Sequence, residues 1–333
     1  MDPPADRPIA LVVGAASRDV TPDDPRGWRL GGAAAYVSMT LSRLGIEVRA
    51  LIGVDEAASK ADELRMVEAA GAVVTRVPLA SGPVFENLEL PTGRRQRCLA
   101  VSDPIELTDL PRAWTSGFDA LVLAPVAGEL DDTWAALAVP EPAPTPDGST
   151  AGPMVALGWQ GLLRHLAPGM TVRRVGPTPS AIVRLARLIV VSGDDLIPGL
   201  GVRDLVSLLG PSTTLVVTAA AAGGQVVEAR PTRDGSRAMR GATYPAIPAD
   251  AVVDPTGAGD VFLGAMVAAM LRPGIGDPVL VAAAASSLSV EAPGLRGVAE
   301  LEAIRLRMTR PPSRASRRPS ATSNRTSGRP SQA

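Results

Sequence analysis

The sequence predicts an α/β protein whose mainly parallel central sheet is flanked by helices on both faces. Short continuous apolar runs, the first at residues 9–14, are typical of strands that are buried on both faces of a parallel sheet. Segments with apolar residues at helical spacing alternate with these runs, beginning with Val37, Leu41 and Leu44. At residues 84–90, apolar and polar residues alternate instead, which predicts a separate small sheet with one solvated face.

Length and composition fit one large domain and exclude several kinds of site. The chain has 333 residues, 46% of them apolar, so it can bury a sizeable core. Cys98 is the only cysteine and His165 the only histidine, which excludes a disulfide framework and a multi-histidine metal centre. Lys60, the only lysine, lies in no Gly-x-x-x-x-Gly-Lys segment, so a P-loop nucleotide site is excluded.

Composition also bears on partners and location. Aromatic residues make up only 3% of the chain, too few for a base-stacking platform, which disfavours a nucleic-acid partner for the folded part of the chain. No apolar run reaches membrane-spanning length, and the acidic segment at residues 1–7 lacks the basic leader of a signal peptide. We therefore expect a cytoplasmic protein without membrane contact.

The first strand and helix carry polar and glycine residues at the edge where open α/β sheets bind ligands. Gly14 ends the first strand, and Asp19 follows at its carboxyl edge. Gly31 and Gly32 open a helix that ends at Gly45. The pattern then predicts a strand at 47–53, a helix at 57–70, a strand at 72–77 and a hairpin of strands at 84–90 and 96–101.

The second half of the chain continues the α/β pattern around a polar insertion. Residues 140–149 are rich in proline and hold no core-forming side chains, which predicts a surface loop at about 138–153. We place His165 on a helix after the strand at 154–158. The arginine-, serine- and proline-rich tail at 309–333 should be disordered, and it either binds nucleic acid or has no function. Further strands are predicted at 120–124, 188–191, 215–218, 226–229 and 242–247, and further helices at 130–137, 261–271 and 278–291.

Residues 254–260, Asp-Pro-Thr-Gly-Ala-Gly-Asp, form the stretch with the clearest chemistry, here called motif 254–260. Its three small residues, Gly257, Ala258 and Gly259, stand before an apolar helix and would expose backbone amides at the positive end of the helix dipole, which is an anion site. Asp260 beside that site would act as a base towards a hydroxyl that attacks a phosphate. Glycine-rich turns before helices are also common without any function, and the dipole alone favours Asp in a first turn.

Motif 254–260 resembles the C-terminal signature of the PfkB-type carbohydrate kinases, the ribokinase-like family. The resemblance implies a ribokinase-like domain at 1–308, with a β-lid formed from about 17–30 and 83–101. It implies transfer of the ATP γ-phosphoryl group to a hydroxyl of a sugar, an inositol-like polyol or a nucleoside. Asp260 would be the general base, and the amides of Gly257, Ala258 and Gly259 would form the anion hole.

The same resemblance implies an acceptor site near the first helix. Asp19, Gly31 and Gly32 match the N-terminal signature of the family, in which the Gly-Gly pair lets the substrate lie against backbone. Tyr36 stands where many sugar kinases of the family carry Asn, and the surrounding string is similar to the branch that holds myo-inositol kinases. Asn87 either faces the substrate from the lid or is an exposed strand residue. The lid arginines (Arg94, Arg95 and Arg97) either lie near phosphate or form a solvated turn.

The implied nucleotide and metal residues depart from the family pattern. Ser192 and Asp195 stand where relatives carry Asn-x-x-Glu; Asp195 would order Mg²⁺ through water, or the segment is only a helix N-cap. Ala220 replaces a glycine of the loop on which the nucleotide lies, at a cost of about 1 kcal/mol if the backbone needs positive φ. Asp254 either helps to hold a monovalent cation or caps the helix. The remaining nucleotide-binding candidates are Thr218, Gly223, Thr256, Ala283 and Ser286.

The sequence also bears on two alternatives to an active kinase. The substitutions at Tyr36, Ser192 and Ala220 also fit a catalytically weak protein that binds a nucleotide or another ligand and keeps the kinase fold. A dehydrogenase is disfavoured, because no Gly-x-Gly-x-x-Gly follows the first strand. The expected partners are a small-molecule substrate and, through the lid, a second copy of the chain.

Overall fold

The computed structural model describes residues 7–90, 93–138, 152–231 and 237–310. The helices are α1 (Ala33–Arg43), α2 (Glu56–Ser59), α3 (Asp62–Ala69), α4 (Ala181–Leu185), α5 (Val202–Val206), α6 (Ala258–Leu271), α7 (Pro278–Ser289) and α8 (Leu301–Met308). The strands are β1 (Ile9–Ala15), β2 (Ser17–Val20), β3 (Trp28–Gly31), β4 (Glu47–Val54), β5 (Ala72–Pro78), β6 (Val84–Leu90), β7 (Gly93–Ala100), β8 (Ala120–Leu123), β9 (Met154–Gly158), β10 (Arg164–His165), β11 (Arg173–Arg174), β12 (Leu188–Ser192), β13 (Thr214–Thr218), β14 (Gly224–Pro231) and β15 (Arg237–Tyr244).

The main sheet is parallel through its centre. In the described part of the chain it has nine strands, in the order β15-β14-β13-β12-β9-β8-β1-β4-β5. The strands from β13 to β5 pair in parallel, and β14 and β15 add an antiparallel edge. Helix α1 packs against β1 and β4, α6 packs against β9 and β12, and the two helices contact each other. The predicted fold class is confirmed by this arrangement.

A second sheet of four strands, in the order β3-β2-β6-β7, forms the lid. Asp19 in β2 pairs with Arg29 in β3 and with Phe85 in β6, so these three side chains share one face of the lid. Asn87 shares it as well, because side chains alternate along β6. The free edge of β7 is covered by the segment before β11, through hydrogen bonds between residues 96–98 and 169–172. The predicted homodimer through the lid stays a prediction.

Two predicted helices have a different form in the structure. The helix predicted at 57–70 is broken into α2 and α3, because Ala61 is extended and only then does α3 begin. The break places Glu63 in the first turn of α3, where it accepts hydrogen bonds from Arg26 and from the Leu30 amide of the lid. The segment predicted as a helix at 130–137 is a 3₁₀ helix, Asp132–Ala138, and the Asp132 carboxylate caps the start of α4.

Two other predictions were wrong in position or type. His165 does not lie on a helix but in β10, which pairs with β11 through a turn containing Pro168 and Gly169, a turn signal that the helix prediction overlooked. The last strand is β15 at 237–244 and not 242–247, because Pro245 has no amide to continue the ladder. Most of the proline-rich loop and nearly all of the tail lie outside the described residues.

Helix α8 fixes the segment that leads into motif 254–260. Arg307 is 3% exposed and donates to the Pro248 carbonyl, to Ser287 and, through both terminal nitrogens, to the Glu291 carboxylate. Because Glu291 follows α7 and Pro248 precedes the motif, this one guanidinium joins α7, α8 and the incoming chain.

Replacing Arg307 by Ala should lower the free energy of unfolding by about 3 kcal/mol, because the buried Ser287 and the partly buried Glu291 and Pro248 lose their charged donor. Urea unfolding followed by circular dichroism measures the effect. Arg305→Ala on the same helix is the control: its side chain is 49% exposed and lies 3.9 Å from Glu302. The control should cost less than about 0.5 kcal/mol. Equal losses for the two variants would contradict the assigned role of Arg307.

Candidate active site

The site is built where motif 254–260 enters the buried helix α6. Gly257 is the residue before the helix and has φ of 78°, a left-handed conformation that favours glycine. A side-chain carbon on Gly257 would also lie 2.4 Å from the Tyr36 ring, so glycine is required twice. Tyr36 itself lies in α1 and is 1% exposed. The predicted acceptor residue Tyr36 therefore supports the turn from beneath.

The residues Gly257, Ala258 and Gly259, here called the anion turn, leave room for a ligand on their outer side. A side-chain carbon at Gly259 would meet no atom within 4 Å. Ser286 in α7 donates to the Ala258 carbonyl at 3.0 Å, so this candidate nucleotide residue holds the turn in place. The Gly257 and Gly259 amides donate to no carbonyl of the described residues, whereas the Ala258 amide reaches the Pro255 carbonyl at 3.4 Å.

Asp260 lies in the first turn of α6, and its ionisation is perturbed. Burial raises the pKa of its carboxyl to about 7; the charge of Arg164 opposes this rise, and the carboxylates of Asp195 and Asp19 add to it. Each of these three groups comes from a different part of the chain, and each exerts its field on Asp260. A carboxyl with a pKa near neutrality is suited to accept a proton at physiological pH.

Asp195 is tied to a cation and an amide that the sequence did not single out. It is 8% exposed and accepts a hydrogen bond from Arg164 at 3.0 Å and two from the Gln160 amide at 3.1 and 3.2 Å. Both donors follow β9, whose last residue, Gly158, packs against Leu263 of α6. Arg164 thereby carries a positive charge close to Asp260. Ser192 accepts from the Asp194 amide and so caps the short turn that contains Asp195.

Asp254 is held by four hydrogen bonds, one of them from the lid. The Thr256 amide and hydroxyl, the Gly294 amide and the Arg29 guanidinium all donate to its carboxylate. Burial raises the pKa of Asp254, but the hydrogen bonds and the charge of Arg29 outweigh burial and hold the pKa below its ordinary value. Thr256, a nucleotide-binding candidate, thus uses its amide to order the motif.

The acceptor candidates meet between α1 and the lid. The Asp19 carboxylate lies so close to Gly31 that a side-chain carbon there would be 2.3 Å from Oδ2, which explains the glycine. Gly32 follows as the residue that opens α1. Asn87 accepts from Gln96 across the lid at 2.9 Å and lies on the Asp19 face. Of the lid arginines, Arg97 pairs with Glu86, and Arg95 is exposed.

The nucleotide-loop candidates follow β13. Ser192 and Thr218 are register partners at the carboxyl ends of β12 and β13. Ala220 has φ of 44°, the one positive φ at a non-glycine residue in the described ranges, and Gly223 has φ of 86°. Ala219 and Ala220 are exposed, as Val252 and Val253 are before motif 254–260. Ala283 is buried in the core.

The fold-implied Mg²⁺ fits Asp195 only through water. Three of the approximately four acceptor positions of that carboxylate are used by Arg164 and Gln160, which leaves one for a metal-bound water. Among the described residues, no group of three or more His, Cys, Asp or Glu side chains is arranged to hold a metal ion. None of the described helices has the length and apolar character that are needed to span a bilayer.

The model of the pfkB family of carbohydrate kinases matches residues 202–301, which include motif 254–260, α6 and α7. None of the curated proteins matches the chain by sequence. Among solved structures, a pyrophosphate-dependent kinase in the ribokinase family, complexed with a pyrophosphate analog and myo-inositol, is similar with a TM-score of 0.65 and 16% identity, over 89% of this chain and 99% of that one. The chain has the ribokinase fold.

Two further structures agree with this assignment. A ribokinase from Thermotoga maritima has a TM-score of 0.61 at 16% identity, covering 91% of this chain and 100% of its own. The Arabidopsis thaliana ribokinase complexed with ribose and ATP has a TM-score of 0.60 at 16% identity, covering 92% and 100%. The predicted resemblance to PfkB-type carbohydrate kinases, which are phosphotransferases with an alcohol acceptor, is confirmed.

Sequence reasoning missed Arg29, Gln160 and Arg164. Arg29 stands two residues before Gly31, inside the segment assigned to the lid, so its position near the Gly-Gly pair was a usable signal. Gln160 and Arg164 lie in a stretch that the sequence placed on a helix, and nothing near them marks a site. Their partner, Asp195, is 31 residues beyond Arg164 and comes near it only through the neighbouring positions of β9 and β12.

Replacing either aspartate of motif 254–260 by Asn should change the free energy of unfolding, and the two replacements should change it in opposite directions. The folded-state pKa of Asp260 is about 7, against an ordinary 3.8, so its ionisation destabilises the fold as the pH rises from about 4 to 7. Asp260→Asn should therefore stabilise the protein at about pH 8, by about 1 kcal/mol or more.

The pKa shift of Asp254 on folding has the opposite sign to that of Asp260. Its pKa is lowered on folding, so its charge contributes stability above the ordinary pKa, and this contribution is lost on acidification. Asp254→Asn should therefore destabilise the protein at about pH 8. Thermal unfolding of the wild type and both variants tests the pair, and a shift of the same sign in both would contradict the two environments.

Proposed function

We propose that the protein is a kinase that transfers the γ-phosphoryl group of ATP to a hydroxyl of a sugar, an inositol-like polyol or a nucleoside, in the cytoplasm. The observation that carries the proposal is Asp260, whose carboxyl has a pKa of about 7 beside the open amides of the anion turn. A base and an anion site thereby lie at the first turn of one helix. Phosphoryl transfer to an alcohol requires both of them.

In the proposed reaction, the acceptor hydroxyl gives its proton to the Asp260 carboxylate as its oxygen forms a bond to the γ-phosphorus. The bond from that phosphorus to the oxygen shared with the β-phosphate breaks, and its electron pair leaves with ADP. The anion-turn amides and the positive end of α6 stabilise the charge on the transferred group. Asp195 would hold a Mg²⁺ ion through a water molecule, and the ion would neutralise charge on the phosphate oxygens of the donor.

The side chains around Asp260 divide the site into an acceptor side and a donor side. Asp19 and the backbone at Gly31 and Gly32 lie towards the lid, so we assign them to the acceptor hydroxyls. Asp195, Thr218 and Gly223 lie at or beyond the carboxyl ends of β12 and β13, so we assign them to the donor, and Arg164 beside Asp195 offers a positive charge to its phosphates. The exposed Val252 and Val253 offer an apolar surface to a nucleobase.

The test of this proposal is Asp260→Asn in an assay of ATP consumption over inositols, pentoses, hexoses and nucleosides. We expect the wild type to phosphorylate at least one acceptor and the variant to lose about 10²–10⁴-fold in kcat, with ATP binding retained. For the wild type, log kcat/KM should rise with pH and level off above a pKa of about 7, because Asp260 acts in its ionised form. Near-wild-type turnover by the variant would exclude Asp260 as the base.

A second candidate is the same transfer with inorganic pyrophosphate as the donor. Two observations favour it: the similar kinase with a bound pyrophosphate analog is pyrophosphate-dependent, and Ala220 strains the loop on which a nucleotide would lie. A pyrophosphate donor needs the anion turn and Arg164 but no nucleoside loop. The catalytically weak binding protein that the sequence left open corresponds to binding of either donor without transfer.

Ala220→Trp separates the two donors. Ala220 is exposed on the loop after β13 where a nucleotide would lie, and a bulky side chain would occupy that place, so the variant should bind ATP about tenfold more weakly if the loop holds the nucleotide. Pyrophosphate binding should stay unchanged. Isothermal titration of both donors against wild type and variant measures this, with Ala303→Trp, at an exposed alanine of α8, as a control that should affect neither. An unchanged affinity for ATP would remove the loop from the nucleotide site.

A further inference from the structure

Arg29 connects the lid to motif 254–260. It lies in β3, and its guanidinium donates to Asp254 Oδ2 at 2.8 Å across a separation of 225 residues. Its aliphatic stem packs on Gly294, where a side-chain carbon would lie 2.7 Å from Arg29 Cδ. The Arg29 and Asp254 side chains are 22% and 14% exposed, so water screens their interaction only in part. This ion pair joins the lid to the motif.

The Asp254 carboxylate has no acceptor position left for a metal cation. An ionised carboxylate offers about four lone-pair positions. The Thr256 amide, the Thr256 hydroxyl, the Gly294 amide and Arg29 take four of them. A monovalent cation at this side chain would have to displace one of these donors. The monovalent-cation role that the sequence left open for Asp254 therefore does not fit the residues present.

We propose that Arg29 is a positioning residue that holds motif 254–260 from the lid, in the place of a monovalent cation, so that this protein needs no such cation. The guanidinium supplies the positive charge that Asp254 requires and is attached to the chain. Asp254 begins the loop whose Gly257, Ala258 and Gly259 amides form the anion turn. Anchoring its carboxylate at both oxygens fixes the start of that loop.

Arg29 also sets the acceptor side of the site. In the β2–β3 ladder its register partner is Asp19, and Gly31 follows two residues later. The strand that carries Arg29 therefore also positions the acceptor candidates, and the ion pair fixes their distance from Asp260. The expected effect of Arg29 on turnover rests on the proposed kinase function. The expected exclusion of a monovalent cation from Asp254 does not.

The first arm of the test measures turnover in KCl and in tetramethylammonium chloride at equal ionic strength. Wild-type kcat should be the same in both salts. Arg29→Ala should lose about 10²-fold in kcat in tetramethylammonium, because the anion turn is no longer held in register. Added K⁺ or low-millimolar methylguanidinium should restore part of the loss, and Arg29→Lys should retain more activity than Arg29→Ala. A merely structural role of Arg29 would not give rescue by a small cation.

Arg26→Ala is the matched control for this arm. Arg26 belongs to the same lid segment and forms its own ion pairs, with Asp24 and Glu63. It stacks 4.5 Å from the centre of the Trp28 ring, and Trp28 precedes Arg29 and so points to the opposite face of β3. Its removal should leave kcat within about twofold, and K⁺ should have no effect on it, because neither Asp24 nor Glu63 belongs to motif 254–260.

The second arm needs no activity and so separates this proposal from the proposed function. The thermal unfolding midpoint of the wild type should be equal in the two salts, because a ligand stabilises only a protein that binds it. Arg29→Ala should have a higher midpoint in KCl than in tetramethylammonium chloride. A K⁺-specific stabilisation of the wild type, a K⁺ requirement for its turnover, or an Arg29→Ala variant with wild-type kcat in tetramethylammonium would each overturn the proposal.

Discussion

A half-buried carboxylate at the first turn of a buried helix is the constraint on which this structure depends. Helix α6 is apolar on nearly all sides, so its first turn can only be placed where the sheet, α1 and α7 meet. That placement brings Asp260 into surroundings that oppose its ionisation. The same burial presses the Tyr36 ring against Gly257, so one packing arrangement shapes the anion turn and tunes the base beside it.

Two arginines balance the acidic residues around this point. Asp19, Asp195 and Asp260 interact electrostatically, and Asp254 begins the same loop as Asp260. Arg164 pairs with Asp195 on the donor side, and Arg29 pairs with Asp254 on the lid side. Each guanidinium comes from an element other than that of its partner, so the charges are compensated only in the folded chain. Two other arginines of the lid are not paired with this group of aspartates: Arg97 pairs with Glu86, and Arg95 is exposed.

The fold could be predicted from the sequence because the burial pattern of strands and the periodicity of helices are local patterns. The apolar runs of β1, β9 and β12 and the glycine boundaries of α1 could be read directly, and Asp260 was recognisable because base, turn and helix stand within seven residues. Arg29 and Arg164 could not be found in this way. Their roles arise from the pairing of β3 with β2 and from the packing of β9 against β12, which bring together residues that are far apart in the chain. The predictions that were wrong, at His165 and β15, concern a turn and a strand end. At such places a single proline changes the hydrogen-bond ladder.

The central claim is that folding places the Asp260 carboxyl where it titrates near neutrality. A ¹³C NMR titration of the aspartate carboxyl carbons, with the Asp260 signal assigned by its absence in Asp260→Asn, measures that pKa directly. The account predicts a midpoint of about 7 for Asp260. A midpoint near the ordinary value of 3.8 would show that the carboxyl is solvated, and it would contradict both the proposed base and the packing from which it was derived.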